Sequence, residues 1–131
     1  GEIVTSAYDR HEADKVVAEI NYGGAMVEAV IRTANPNINY GEVRASRGKI
    51  IRAEPIGALY EQGKIHHVGY FPEIEEQLTA MTTNGYQGVK SPDRADATIW
   101  AFTELFPKMT KRTNINKNRD VDVPSAYSAF A

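Results

Sequence analysis

The segment Val16-Val17-Ala18-Glu19-Ile20 constrains this chain more than any other, because it is an apolar run cut off by Asn21 and the Gly23-Gly24 pair. A short apolar run, led in here by Asp14-Lys15 and closed by turn residues, predicts a buried strand followed by a tight turn. Such a strand wants partners on both edges. The rest of the sequence must supply them or leave an edge open.

Helical spacing surrounds that strand. Ile3, Val4, Ala7 and Tyr8 fall at i, i+1, i+4 and i+5, which predicts a helix over residues 2–11. Met26, Val27, Val30 and Ile31 mark a helical face within 25–34, stopped by Asn35-Pro36, and a second strand is expected at about 37–44. From Gly48 to Gln62 the apolar positions Ile50, Ile51, Ile56, Leu59 and Tyr60 predict another helix, interrupted near its first turns by Pro55 and stopped by Gly63. Ile65–Val68 reads as a short strand or extended segment. A helix opens at Phe71-Pro72-Glu73 and runs to about Met81, and the Thr, Asn and Gly of 82–90 read as a loop. Ser91-Pro92-Asp93 predicts a last helix with a serine cap, proline at its first position and an acid at the positive end of its dipole. Ala97, Trp100, Ala101 and Leu105 are expected on its inward face. Strands alternating with helices define an α/β fold, a mixed sheet with flanking helices. Three strands at most for four helices is a sparse sheet, so the expectation is part of a larger one.

Composition removes several function classes. The chain has 131 residues, enough for one compact domain, and its 42% hydrophobic content can bury a core. No apolar run is long enough for a membrane span, and Gly1-Glu2-Ile3-Val4 does not open a secretory signal. Without cysteine there is no disulfide framework, thiolate site or thiol nucleophile. A formal charge of −2 argues against a wholesale polyanion binder but leaves room for a local basic patch. Beyond Pro107 the hydrophobic period is lost and five basic residues fall between Lys108 and Arg119, so 107–131 is expected to be a basic, weakly ordered tail.

Three constellations could carry chemistry. Glu19 lies within the most apolar strand, just before its turn, where α/β sheets present ligand-binding groups. The plain alternative is an exposed or ion-paired acid. Asp93 and Asp96, three residues apart, share a helix face; two acids held together resist joint ionisation, and a divalent cation relieves that cost. The alternative here is that Asp93 serves the helix dipole while Asp96 pairs with Arg94 or solvent. Arg44, Arg47, Lys49 and Arg52 form a basic cluster with no acid from Val43 to Ala53, suited to phosphates. A solvated face explains such a cluster equally well. Ser46-Arg47-Gly48-Lys49-Ile50 is not a phosphate loop, since Gly41 is two residues too far upstream and Ile50 stands where a hydroxyl is needed. His66-His67 is a weak metal pair, because neighbours on a strand point to opposite faces.

In order along the chain, four segments resemble the C-terminal nuclease domain of tailed-phage terminase large subunits. They are Val16-Val17-Ala18-Glu19-Ile20-Asn21-Tyr22-Gly23-Gly24; Arg52-Ala53-Glu54-Pro55-Ile56 with Ala58-Leu59-Tyr60-Glu61-Gln62-Gly63; His66-His67-Val68-Gly69; and Ser91-Pro92-Asp93-Arg94-Ala95-Asp96-Ala97. The resemblance implies a partial RNase H-like fold over residues 1–106, with acids on a mixed sheet holding divalent metals, Mg2+ or Mn2+, for phosphodiester hydrolysis. It also implies a catalytic and metal-binding role for Glu19 and Asp96 and an auxiliary catalytic role for Asp93; beside it, the basic cluster is expected to give DNA contacts from Arg47, Lys49 and Arg52. The implied partners are double-stranded DNA, the terminase ATPase domain, the small terminase subunit and the portal, and the implied setting is the host cytoplasm.

Relatives begin this domain with three strands, the first bearing a leading catalytic aspartate, whereas this sequence starts inside the helix before the fourth. A fragment or remnant is therefore expected, binding metal weakly and cleaving DNA poorly or not at all by itself. Its uncovered strand edge suggests a homo-oligomer. Two other readings remain open at this point. One is a non-catalytic docking module for portal or capsid, contacting it through the tail with Tyr127 and Phe130; the other is another RNase H-fold nuclease such as a resolvase.

Overall fold

The structure, a computed structural model, describes residues 1–21, 24–46 and 48–110. It opens with α1 (Glu2–Arg10), β1 (Val16–Glu19), α2 (Gly24–Ala34) and β2 (Tyr40–Val43). The two strands pair in parallel, Val16 opposite Tyr40 and Glu19 opposite Val43, with α2 as the crossover between them. A parallel pair cannot be joined by a hairpin, so the helix between the strands is the geometric requirement of the pairing. Beyond β1 the ladder continues for one bond, from the Ile20 N–H to the Val43 carbonyl at 2.8 Å. Gly24 opens α2 where a Cβ would stand 2.6 Å from Ile20 Cδ1, so a larger residue there would have to displace the buried Ile20 side chain. Ile20, Ile31 and Ile38 are buried around this unit.

The second half is helical around a small core. It contains α3 (Lys49–Glu61), α4 (Pro72–Thr79), β3 (Met81–Thr82), β4 (Gly85–Tyr86), α5 (Asp93–Leu105) and α6 (Pro107–Thr110). Ile56 and Leu59 of α3, Ile65 beyond it and Ile99 of α5 form the buried cluster, with Ala53, Tyr60, Met81 and Phe102 packed around it. The expected break at Pro55 does not occur. The helix runs through it unbroken, because burying Ile56 and Leu59 on one face outweighs the lost backbone bond. Its stop at Gly63 is as expected. Gly63 has φ +63, and the Gly63 and Lys64 N–H groups donate to the Tyr60 and Leu59 carbonyls at 2.9 Å each, the Schellman arrangement that glycine favours.

Five expectations are corrected. Residues 65–68 form no strand, and 82–90 is not loop throughout: Met81–Thr82 and Gly85–Tyr86 pair antiparallel as a separate two-residue hairpin. The helix expected to reach Met81 ends at Thr79. No serine caps α5; the helix starts at Asp93 after Pro92, and its free N–H groups at Arg94 and Ala95 donate to Gln77 Oε1 of α4 at 3.0 and 3.1 Å. Finally, α5 turns the other way. Ala95 and Ile99 are its buried residues, while Ala97 and Ala101 are exposed and Leu105 retains 68% of its surface. The stripe expected inward faces a groove instead.

The first four residues of the expected tail form α6, with Thr110 buried. Residues 111–131 lie outside the described residues. No helix among the described residues is long and apolar enough to cross a membrane.

Candidate active site

The groove lies between the end of β1, the start of α3 and the open face of α5, and encloses about 720 Å3. Strand periodicity sets its floor: Val17 and Glu19, two residues apart, point to the same side and both line it. Helical periodicity sets its wall, where Asp93, Asp96, Ala97 and Trp100 repeat on one face of α5.

Glu19 and Asp96, distant in sequence, meet at one cation. The Arg52 guanidinium places Nη2 3.6 Å from Asp96 Oδ1 and 4.0 Å from Glu19 Oε2. Trp100 fixes both members of that contact. Its indole N–H donates to Glu19 Oε2 at 2.8 Å, and its ring lies under the same guanidinium, 4.7 Å from Cζ to centroid, a geometry in which the ring quadrupole attracts the cation. On the other side, Lys49 Nζ stands 2.5 Å from Asp96 Oδ2. Asp96 and Arg52 are almost enclosed, with side chains 13% and 11% exposed, against 46% for Lys49. Asp96 Oδ1 is buried and accepts no hydrogen bond, which a desolvated carboxylate oxygen rarely tolerates without a cation to face.

The predicted residues therefore divide. Glu19, Asp96, Lys49 and Arg52 come together. Asp93 lines the same groove one turn away but is exposed, and its Oδ1 accepts a 2.5 Å bond from the Ser91 hydroxyl. Arg47 lies outside the described residues. The plain alternative for Asp96, pairing with Arg94, does not hold: Arg94 reaches Glu73 of α4 at 2.8 Å. Sequence reasoning missed the Trp100 contact, having assigned that ring to the core, and it missed the groove-lining pair Lys15–Glu104 at 2.5 Å. Local sequence carries no signal for either, since the partners are 81 and 89 positions apart.

The histidines diverge as strand neighbours would. The His66 ring Nε2 bonds the Gly63 carbonyl at 2.7 Å. His67 sits between Glu75 Oε1, 3.0 Å from its Nδ1, and the Tyr60 hydroxyl, 2.7 Å from its Nε2. Burial first, then the Glu75 charge, push the Tyr60 hydroxyl above its ordinary pKa.

An acid at the end of a parallel strand, with an acid on a packed helix across from it, lies where α/β sheets place their ligands. The family model of the terminase RNaseH-like domain matches residues 2–105, and the chain belongs to that family. No curated protein and no solved structure gives a significant match.

Proposed function

We propose that this chain is the metal-dependent DNA endonuclease portion of a phage DNA-packaging terminase large subunit, with Glu19 and Asp96 as its metal ligands. The observation that carries the proposal is their convergence on the single guanidinium of Arg52. A place that one cation already shares between two carboxylates suits another cation.

The donor set fits a hard divalent ion. Both ligands are carboxylates, Asp96 Oδ1 is buried without a hydrogen bond, and Mg2+ is characteristically held by one or two carboxylates together with substrate phosphate. No group of three or more His, Cys, Asp or Glu side chains able to hold a metal occurs among the described residues, so Glu19 and Asp96 are the two residues that would hold the ion. When bound, Mg2+ or Mn2+ supplies polarisation of the phosphodiester and an acidified water.

The chain's own residues do the rest. Glu19, oriented by Trp100, and Asp96, oriented by Arg52 and Lys49, hold fixed positions across the groove. Lys49 and Arg52 present positive charge to the phosphate backbone, and Asp93 at the rim takes an auxiliary position toward the attacking water. Double-stranded DNA is the substrate; the terminase ATPase domain, small subunit and portal are the partners, in the host cytoplasm.

Relaxation of supercoiled plasmid in Mn2+ tests this reading. Slow nicking by the wild-type chain, abolished by Glu19→Gln and by Asp96→Asn, is expected. Nicking that survives both substitutions, or Mn2+ binding that both leave unchanged, overturns it.

A further inference from the structure

The two cations at the acid pair are built differently. Arg52 is enclosed, lying on the Trp100 ring between two carboxylates. Lys49 stands on the first turn of α3, nearly half exposed, and reaches Asp96 Oδ2 from the solvent side. Its flexible stem and point charge make it the mobile partner, whereas a stacked guanidinium is a fixed one. Because the Lys49 ammonium is half in solvent, the pair can open without leaving that cation buried.

Charge counting shows what exchange achieves. Around the groove Asp14, Glu19, Asp93, Asp96 and Glu104 stand against Lys15, Lys49 and Arg52, so it is negative as it stands. A divalent ion on Glu19 and Asp96 would offset that excess and leave the Lys49 charge available at the mouth, where a phosphodiester brings its negative charge.

Resting on the reading of Glu19 and Asp96 as metal ligands, we propose that Lys49 is an exchangeable counter-ion. It neutralises Asp96 while no metal is bound, and metal entry releases it to the DNA phosphate. Lys49 cannot serve both partners at once, so metal and DNA bind with positive coupling, and the coupling is reciprocal.

Lys49→Met keeps the stem and removes the charge; Lys64→Met, at a lysine that does not line the groove, is the control for net charge. Calorimetric titration with Mn2+ is expected to show Lys49→Met binding the metal at least about threefold more tightly than wild type, the size of an exposed pair, with Lys64→Met unchanged. Anisotropy of a short labelled duplex, with Ca2+ in place of Mn2+, is expected to show metal-enhanced affinity in wild type and none in Lys49→Met. Unchanged or weaker Mn2+ binding by Lys49→Met, an equal gain in Lys64→Met, or metal enhancement that persists in Lys49→Met overturns the counter-ion role. If Glu19→Gln and Asp96→Asn lose Mn2+ while Lys49→Met matches wild type, only this role falls. If both acid variants bind Mn2+ like wild type, or wild type binds none, the metal-ligand reading falls with it.

Discussion

Trp100 on α5 donates its indole N–H to Glu19 at the end of β1, at 2.8 Å and across 81 positions of sequence. This bond ties the strand unit to the helical half of the chain at the point where the acids converge. The same ring supports Arg52 from below. One side chain thus sets both the negative and the positive component of the groove.

Trp100→Phe keeps an aromatic surface and removes the donor. Hydrogen bonds to charged groups contribute about 1.5–3 kcal/mol, and partial exposure of Glu19 places this one at the lower end. Urea denaturation should show a loss of about 1 kcal/mol, and calorimetry should show Mn2+ binding weakened several-fold. Unaltered metal binding would mean that the indole does not orient Glu19.

Ile99 is 1% exposed at the contact of α5 with α3. Ile99→Ala should cost about 2–5 kcal/mol, as large-to-small changes in packed cores do. The exposed Leu105 provides the contrast: Leu105→Ala should shift the urea midpoint little. Equal effects at the two positions would show that the inward face of α5 is not the one described.

Gln77 caps α5 across the interface with α4, accepting from two backbone N–H groups. Gln77→Ala should cost about 1 kcal/mol, the size of an N-cap loss. Ser91→Ala should cost less, because Ser91 bonds the Asp93 side chain and no backbone donor of the helix. A larger loss from Ser91→Ala on thermal melting would reverse the assignment of the cap.

Tyr60 is raised above its ordinary value of 10.0 by burial and then by Glu75; Tyr40 is raised by burial, Glu42 and Glu28. A tyrosine whose folded pKa is higher loses its proton first in the unfolded chain. The folded state then binds more protons, and stability falls as pH rises through the folded value. Denaturation above pH 10 should show this decline, and Tyr60→Phe should make it shallower. A slope that Tyr60→Phe leaves unchanged would exclude Tyr60 as its source.

Much of this architecture can be read from local sequence. The period of Ile3 to Tyr8, the apolar run before Asn21, the stop at Gly63 and the acids at 19 and 96 are local signals with local meaning. What escaped reading depends on distant partners. A two-residue strand such as Met81–Thr82 is too short to show a period, and the cap of α5 comes from a glutamine 17 positions earlier. The orientation of α5 turns on whether Ala95 and Ile99, or Ala97 and Trp100, face Ile56. Both stripes are apolar, and only the assembled core decides between them. Trp100 was legible as a large apolar residue but not as a hydrogen-bond donor to Glu19, since nothing near it in sequence identifies the acceptor.

Because Trp100 is the one tryptophan of the chain and touches Glu19, its fluorescence during Mn2+ titration reports directly on the acid pair. Wild type should show a saturable change that Glu19→Gln and Asp96→Asn each abolish. A titration identical in wild type and both variants, or no change in any of them, would mean that the two acids hold no metal.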